Sequence, residues 1–234
     1  LNNLITETSS RDGLWRPEYE HDACGVGFVA DISGHRSHKI LDMAIESVVN
    51  LVHRGAVAAD AKTGDGAGIL TQLPFKIIEK HLNLIGSHMP KQVQDIGIGM
   101  VFLPTNNKEI TKRVMGLVEQ SISREGLILL SWRNVPTDDQ ALGKEALQSM
   151  PNIRQVIIGR PDSMDLTGFQ RALYLVRKNL ELIQVKENLE QFHIVSMSNT
   201  TIVYKGLVAA TQLSNFYTDL NDTDYETSLA IFHQ

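Results

Sequence analysis

One residue type occurs once in this chain, and it stands where a nucleophile could be placed: Cys24, at the junction between a polar leader and the first apolar run, followed by Gly25-Val26-Gly27. A thiol becomes reactive as its thiolate, so an isolated cysteine opening an apolar strand has two readings, a buried inert side chain or a nucleophile. Cleavage before Cys24 would put a thiol and an α-amine on one residue. An amine with a pKa of about 8 is a usable proton acceptor, and N-terminal nucleophiles use that pairing.

Three other groupings bear on chemistry. His53-Arg54-Gly55 closes an apolar helical stretch. Cations there complement the last carbonyls, while Arg54 beside a glycine could also orient groups around a thiol; spacing alone leaves both readings open. Thr63-Gly64-Asp65-Gly66-Ala67-Gly68 superficially resembles a phosphate cradle, but it lacks the Lys-Ser/Thr ending and precedes a strand rather than a helix. A tight, close-packed turn is expected there. His35 and His38 have a spacing that could share a metal, yet no third ligand accompanies them and Arg36 and Lys39 add positive charge, so a solvated turn is expected.

The elements that must position these residues follow from period and punctuation. The sequence has 234 residues, 42% hydrophobic and 21% charged, with a net charge of -5 and no basic run, which argues against nucleic acid or an anionic membrane surface as partner. No apolar window approaches the length of a membrane span, and no export signal opens the chain. A lone cysteine allows no internal disulfide and no cysteine-built metal site, which fits a reducing compartment: cytoplasmic by default, with a plastid also compatible. Leu1 opens the chain and the apolar run around Ser228 to Gln234 closes it, so it is expected to be a piece of something longer.

Residues 1–23 are polar and lack an apolar period, and the folded part is expected to begin at Cys24 with a strand to Ile32 and a turn at Ser33-Gly34. Leu41, Ala44, Ile45, Val48, Leu51 and Val52 predict a helix that Gly55 ends as a left-handed cap. Strands are predicted at 67–73, 97–103, 127–135, 154–158 and 228–232, and helices at 75–85, 108–124 and, weakly, 137–149. A long helix capped by Thr167 carries Phe169, Leu173, Val176, Leu180 and Ile183 on one face. Strands 192–197 and 201–205 read as a hairpin across Ser198-Asn199-Thr200, and 210–220 as a short helix. Alternating helices and strands with antiparallel pairing indicate a mixed α/β layered fold.

Four ordered motifs then combine: Glu20-His21-Asp22-Ala23-Cys24-Gly25-Val26-Gly27, Leu51-Val52-His53-Arg54-Gly55, Thr63 to Gly68, and Thr201-Ile202-Val203-Tyr204-Lys205-Gly206. From about Gly13 to Gln234 the chain resembles the amino-terminal part of the glutamate synthase large subunit, a class II glutamine amidotransferase domain. The resemblance implies an α+β fold, a four-layer αββα sandwich of the N-terminal nucleophile hydrolase type, truncated here on its C-terminal side. It implies that residues 1–23 are a propeptide cut between Ala23 and Cys24. Cys24 would then attack the side-chain amide of glutamine to give a thioester and ammonia, with Arg54 and Gly55 supporting the site. Ammonia would pass to the remaining synthase domains for reductive amination of 2-oxoglutarate. FMN and an iron–sulfur cluster are implied in the parent and no cofactor in this chain, with electrons supplied by ferredoxin or a small electron-donating subunit.

In such relatives the glutamine-binding arginine and the oxyanion-hole segment follow the position of Gln234. Loss of one oxyanion donor typically costs about 100- to 1,000-fold in turnover, so residues 1–234 with the leader attached are expected to be inactive alone. Two alternatives accompany this reading. One is the glutaminase domain of another class II amidotransferase, such as an amidophosphoribosyltransferase or asparagine synthetase. The other is a non-catalytic scaffold or regulatory domain that keeps the fold.

Overall fold

Apolar periods of two and of three to four residues become strands and helices in the computed structural model, which describes residues 25–55, 60, 62–87, 89–90, 92–105 and 107–234, apart from the Arg54 side chain. In order these are β1 (Val26–Ala30), α1 (His38–Val49), β2 (Ala67–Gln72), α2 (Phe75–Leu84), β3 (Ile96–Leu103), α3 (Lys108–Arg124) and β4 (Ile128–Asn134). Then follow α4 (Lys144–Ser149), β5 (Asn152–Gly159), α5 (Leu166–Lys186), β6 (His193–Ser198), β7 (Thr201–Gly206), α6 (Leu213–Phe216) and β8 (Leu229–His233).

The strands form two four-stranded sheets, β1-β8-β2-β7 and β4-β5-β3-β6, with every neighbouring pair antiparallel. One face of the second sheet, through Val101, Leu103, Val156 and Ile158, packs on Val114, Val118 and Ile122 of α3 and on Phe169, Leu173 and Val176 of α5. Its other face, through Ile98, Met100 and Ile157, shares a core with Ile69, Ile202, Tyr204 and Phe232 of the first sheet. Leu41, Ala44 and Val48 of α1 and Ile77, Ile78 and Leu82 of α2 join that core. The result is an α+β sandwich of two antiparallel sheets with helices added to both.

Where the two sheets meet, the contact is polar as well as apolar. Arg133 on β4 donates two bonds to the Asp219 carboxylate, at 2.8 and 2.7 Å. Tyr204 on β7 donates to the same carboxylate at 2.9 Å and accepts from Gln155 on β5 at 2.9 Å. Gln155 in turn accepts from Arg133 at 3.0 Å, and Tyr225 bonds Thr71 on β2 at 2.7 Å. Burial alone would lower the Arg133 pKa, but the bonds and charge of Asp219 outweigh it and raise the value, keeping the guanidinium charged. Burial pushes the phenols of Tyr204 and Tyr225 up, so both hydroxyls stay protonated.

Several local expectations need correction. The α1 helix stops at Val49, followed by a one-turn 3-10 helix at Val52–Arg54, and Gly55 is extended at φ -97°, not a left-handed cap. Asp165, not Thr167, caps α5 by accepting from Gly168 N at 2.7 Å; Thr167 already lies in the first turn. β6 and β7 do not form a paired hairpin, because β6 pairs with β3 and β7 with β2, so Ser198–Thr200 carries the chain from one sheet to the other. The 210–220 stretch is a 3-10 turn, α6 and a second 3-10 turn, interrupted where Tyr217 turns extended at φ -92° and ψ 92°. The weak 137–149 helix contracts to a 3-10 turn at Asp139–Ala141 and α4.

Candidate active site

Cys24 and Ala23 lie outside the described residues, as do the proposed propeptide 1–23 and the Arg54 side chain, so the site is built from the backbone that continues from the thiol. Gly25 is the first of these residues. Its N–H donates to the Gln234 carbonyl at 2.7 Å and its carbonyl accepts from the Gln234 N–H at 2.9 Å, extending the β1–β8 pairing by one rung. The chain neighbour of Cys24 is thereby locked to the residue after β8.

The 51–55 segment passes directly behind that rung. A Cβ on Gly25 would sit 3.0 Å from Leu51 Cδ1, and a Cβ on Gly55 would fall inside the Gln234 carboxamide, with Cδ at 2.8 Å. Gly55 is thus required for proximity rather than for a positive φ. Within the turn, Gly55 N–H reaches Val52 O at 3.3 Å and His53 Nδ1 lies 3.1 Å from Asn50 O. The structure therefore brings Gly55 to Gln234, the residue paired with Gly25.

The glycine-rich turn joins the same assembly from the other side. A Cβ on Gly64 would overlap the Val208–Ala209 main chain, so the 64–66 turn and the 207–210 segment are in backbone contact. Ala210 N–H donates to Gln234 Oε1 at 2.7 Å, Ala209 N–H to Gln212 Oε1 at 2.8 Å, and Gln212 Nε2 to Lys62 O at 2.8 Å. Asp60 fastens the entry of the turn by accepting from Thr63 Oγ1 at 2.6 Å, Thr63 N at 2.6 Å and Lys62 N at 3.0 Å. Thr63 Oγ1 also accepts from Ala146 N in the first turn of α4. These bonds, the Thr63 hydroxyl foremost, hold the Asp60 carboxyl well below the usual carboxylate range.

The antiparallel register puts the start of β1, the end of β8, the start of β2 and the end of β7 at one end of the first sheet. A cavity of about 540 Å³ opens at that end, with Ala67, Lys205, Val208 and His233 on the first sheet's side and Ile153 and His193 on the second's. Its ionisable lining comprises Asp65, Glu190 and Lys205 together with the two histidines.

His38 and His35 are not brought together as ligands. His38 opens α1, with Nδ1 3.0 Å from Tyr225 O and Nε2 3.2 Å from Asp42. No group of three metal-ligating side chains occurs among the described residues, and no described helix is long and apolar enough to cross a membrane. The sequence motifs did not single out Gln234, Gln212 or Asp60. A signal for Gln234 exists: it continues the alternation Ala230, Phe232, Gln234, all buried, so a polar residue occupies an inward position.

Comparison with known proteins gives the family. The sequence model of one family, described as Glutamine amidotransferases class-II, matches residues 24–234. The chain is 40% identical to the glutamate synthase [NADPH] large chain of Bacillus subtilis (strain 168), over 94% of the chain and 14% of that protein. It is 38% identical to the glutamate synthase [NADPH] large chain of Azospirillum brasilense, again over 94% of the chain and 14% of that protein. The ferredoxin-dependent glutamate synthase of Pyropia yezoensis is 37% identical over 100% of the chain and 15% of its own length. The chain therefore spans about a seventh of the curated relatives it matches.

Proposed function

The chain belongs to the class II glutamine amidotransferases, and on that premise we propose that it is the glutaminase part of a glutamate synthase. The observation that carries the proposal is the family match beginning at Cys24, the residue whose backbone continues into the Gly25–Gln234 rung.

In this reading the leader 1–23 is removed between Ala23 and Cys24, and the new α-amine of Cys24 takes the thiol proton. The thiolate forms a C–S bond to the side-chain amide carbon of glutamine, the C–N bond breaks, and the amine returns the proton to the leaving nitrogen as ammonia. Water then adds to the thioester, the C–S bond breaks and glutamate leaves. Gly55 allows the Arg54 turn to lie close to the rung, so Arg54 and Gly55 support the site. The cavity at this end of the sheet falls in the size range of small-ligand sites, roughly 300–1,000 Å³, and His233, the chain neighbour of Gln234, is in its lining, although Gly25, Gly55 and Gln234 are not.

The ammonia would be consumed by the remaining domains of the parent protein, where 2-oxoglutarate is aminated and reduced. FMN and an iron–sulfur cluster would serve that second reaction. A cluster is ordinarily held by several thiolates and this chain has one cysteine, so its residues do not fit that group and no step here runs through it. Either ferredoxin or a small electron-donating subunit would complete the partners.

The test is Cys24→Ala in the full-length protein together with the mass of the purified mature chain. Loss of glutamine-dependent ammonia release by at least a thousandfold, with a mature chain starting at Cys24, is expected. Undiminished release from the variant would leave only a scaffold role, and an active protein retaining residues 1–23 would remove the amine from the mechanism.

A further inference from the structure

We propose that Gln234 is a positioning residue of the glutamine-hydrolysing site, fastening the backbone that adjoins Cys24 to both the Gly55 turn and the Ala210 segment. The inference rests on the glutaminase reading above and adds a residue to it.

Three observations converge on this side chain. Its main chain makes both bonds of the rung with Gly25, at 2.7 and 2.9 Å. Its Oε1 accepts from Ala210 N–H at 2.7 Å, which fixes the amide orientation: a backbone N–H can only donate, so the atom facing Ala210 is the oxygen and the other is the NH2 group. That Nε2 is pressed against Gly55, in the space a Cβ would need. One residue thus touches the strand that continues from the thiol, the turn that follows α1, and the segment packed on the Gly64 turn.

The Nε2 group is also buried, on a residue only 4% exposed, and has no hydrogen-bond partner among the described residues. A Met of similar length would fill the same space but would release Ala210. The carboxamide does both at once: its oxygen ties Ala210 while its nitrogen bears on the turn. Displacement of a positioned group by about 1 Å can cost on the order of 100-fold in rate, and Gly25 cannot shift without carrying its neighbour.

The experiment uses the full-length protein and compares Gln234→Ala, Gln234→Glu and Gly55→Ala with the parent for glutamine hydrolysis. Gln234→Ala and Gly55→Ala are each expected to lower kcat by about 10- to 100-fold with KM for glutamine changed less than about threefold. The double variant should fall no lower than the worse single, because the Cβ that Gly55→Ala adds clashes with the very carboxamide that Gln234→Ala removes. Gln234→Glu keeps an acceptor for Ala210 but places a buried charge against the Gly55 turn while ionised, so its deficit relative to the parent should shrink as pH falls and the carboxyl gains a proton. A purely structural role would lower the folded fraction and leave kcat per folded molecule at the parental value. Single variants with kcat within twofold of the parent, a loss confined to KM, losses that multiply in the double, or a pH-independent Gln234→Glu deficit would each overturn the proposal. Cys24→Ala separates the two failures: if it abolishes hydrolysis while Gln234 variants keep parental kcat, only the positioning role falls, and if it leaves hydrolysis intact the glutaminase reading falls with it.

Discussion

The seam between the sheets and the end of the first sheet near Gly25 are both built around buried polar side chains, but they are held together in opposite ways. At the seam, Arg133, Asp219, Tyr204, Gln155, Tyr225 and Thr71 meet through directed side-chain bonds of 2.7 to 3.0 Å, and Asp219 alone accepts three of them. At the sheet end, Gly25, Gly55 and Gly64 give up side chains to make room for the Leu51 side chain, the Gln234 carboxamide and the Val208–Ala209 main chain in turn, and Gln234 keeps a buried donor unpartnered among the described residues. The seam satisfies its own bonding and specifies how the sheets sit. The sheet end is instead set by close packing around three glycines.

The sharpest way to break this contrast is Asp219→Ala. It leaves the Arg133 guanidinium, 12% exposed, without its carboxylate, and removal of one partner from such a buried pair costs on the order of 3–5 kcal/mol. Chemical unfolding should show that loss, while the folded fraction keeps its KM for glutamine; a loss below about 1 kcal/mol would mean the seam does not set the sandwich. Gly64→Ala comes next, because its Cβ would overlap main chain rather than a yielding side-chain tip. Overpacking of this kind costs about 1–3 kcal/mol, and here activity per folded molecule should fall as well, since the displaced 208–210 segment is the one Gln234 holds. Tyr225→Phe removes a single bond to Thr71 and is expected to cost about 1 kcal/mol with no change in kcat. A kcat effect there as large as that of Gly64→Ala would erase the distinction between the two regions.

How far each region could be read from the sequence follows the same division. The apolar face of α1 was legible, with Leu41, Ala44 and Val48 all buried, because a 3.6-residue period is a local property. The fate of β6 and β7 was not, since a hairpin and a crossing between sheets share the same short polar connection, and only pairing with distant β3 and β2 decides between them. Seam residues such as Arg133 and Asp219 are 86 positions apart and carry no spacing signal. At the site, Cys24, Arg54 and Gly55 came from motifs, and the structure explains Gly55 by proximity to Gln234 rather than by the cap its position suggested. Gln234 was hidden because its partners, at Gly25, Gly55 and Ala210, lie on three separate stretches of chain.

The smallest expected effect tests the rim of the sheet end, where Asp60 ties the Gly64 turn to α4. Its carboxyl is held below the usual carboxylate range by Thr63 and the neighbouring N–H groups, so the folded state binds this proton less readily than the unfolded chain does. Where the unfolded chain binds more protons, stability rises with pH, and the contribution of Asp60 is fully present above the unfolded value of about 3.9. It is lost as pH falls below about 4 toward the lowered folded value. Asp60→Asn should therefore flatten the acid side of the melting-temperature profile, with its destabilisation largest at neutral pH and shrinking below pH ~4. Because Asp60 sits at the surface and its bonds are local, the change should be a modest tilt, well short of the Asp219 effect. A variant whose profile runs parallel to the parent through the acid range would show that the turn is held by the Gly64 contact with Val208 and Ala209 alone, and would shift the weight of the sheet end from charge to close packing.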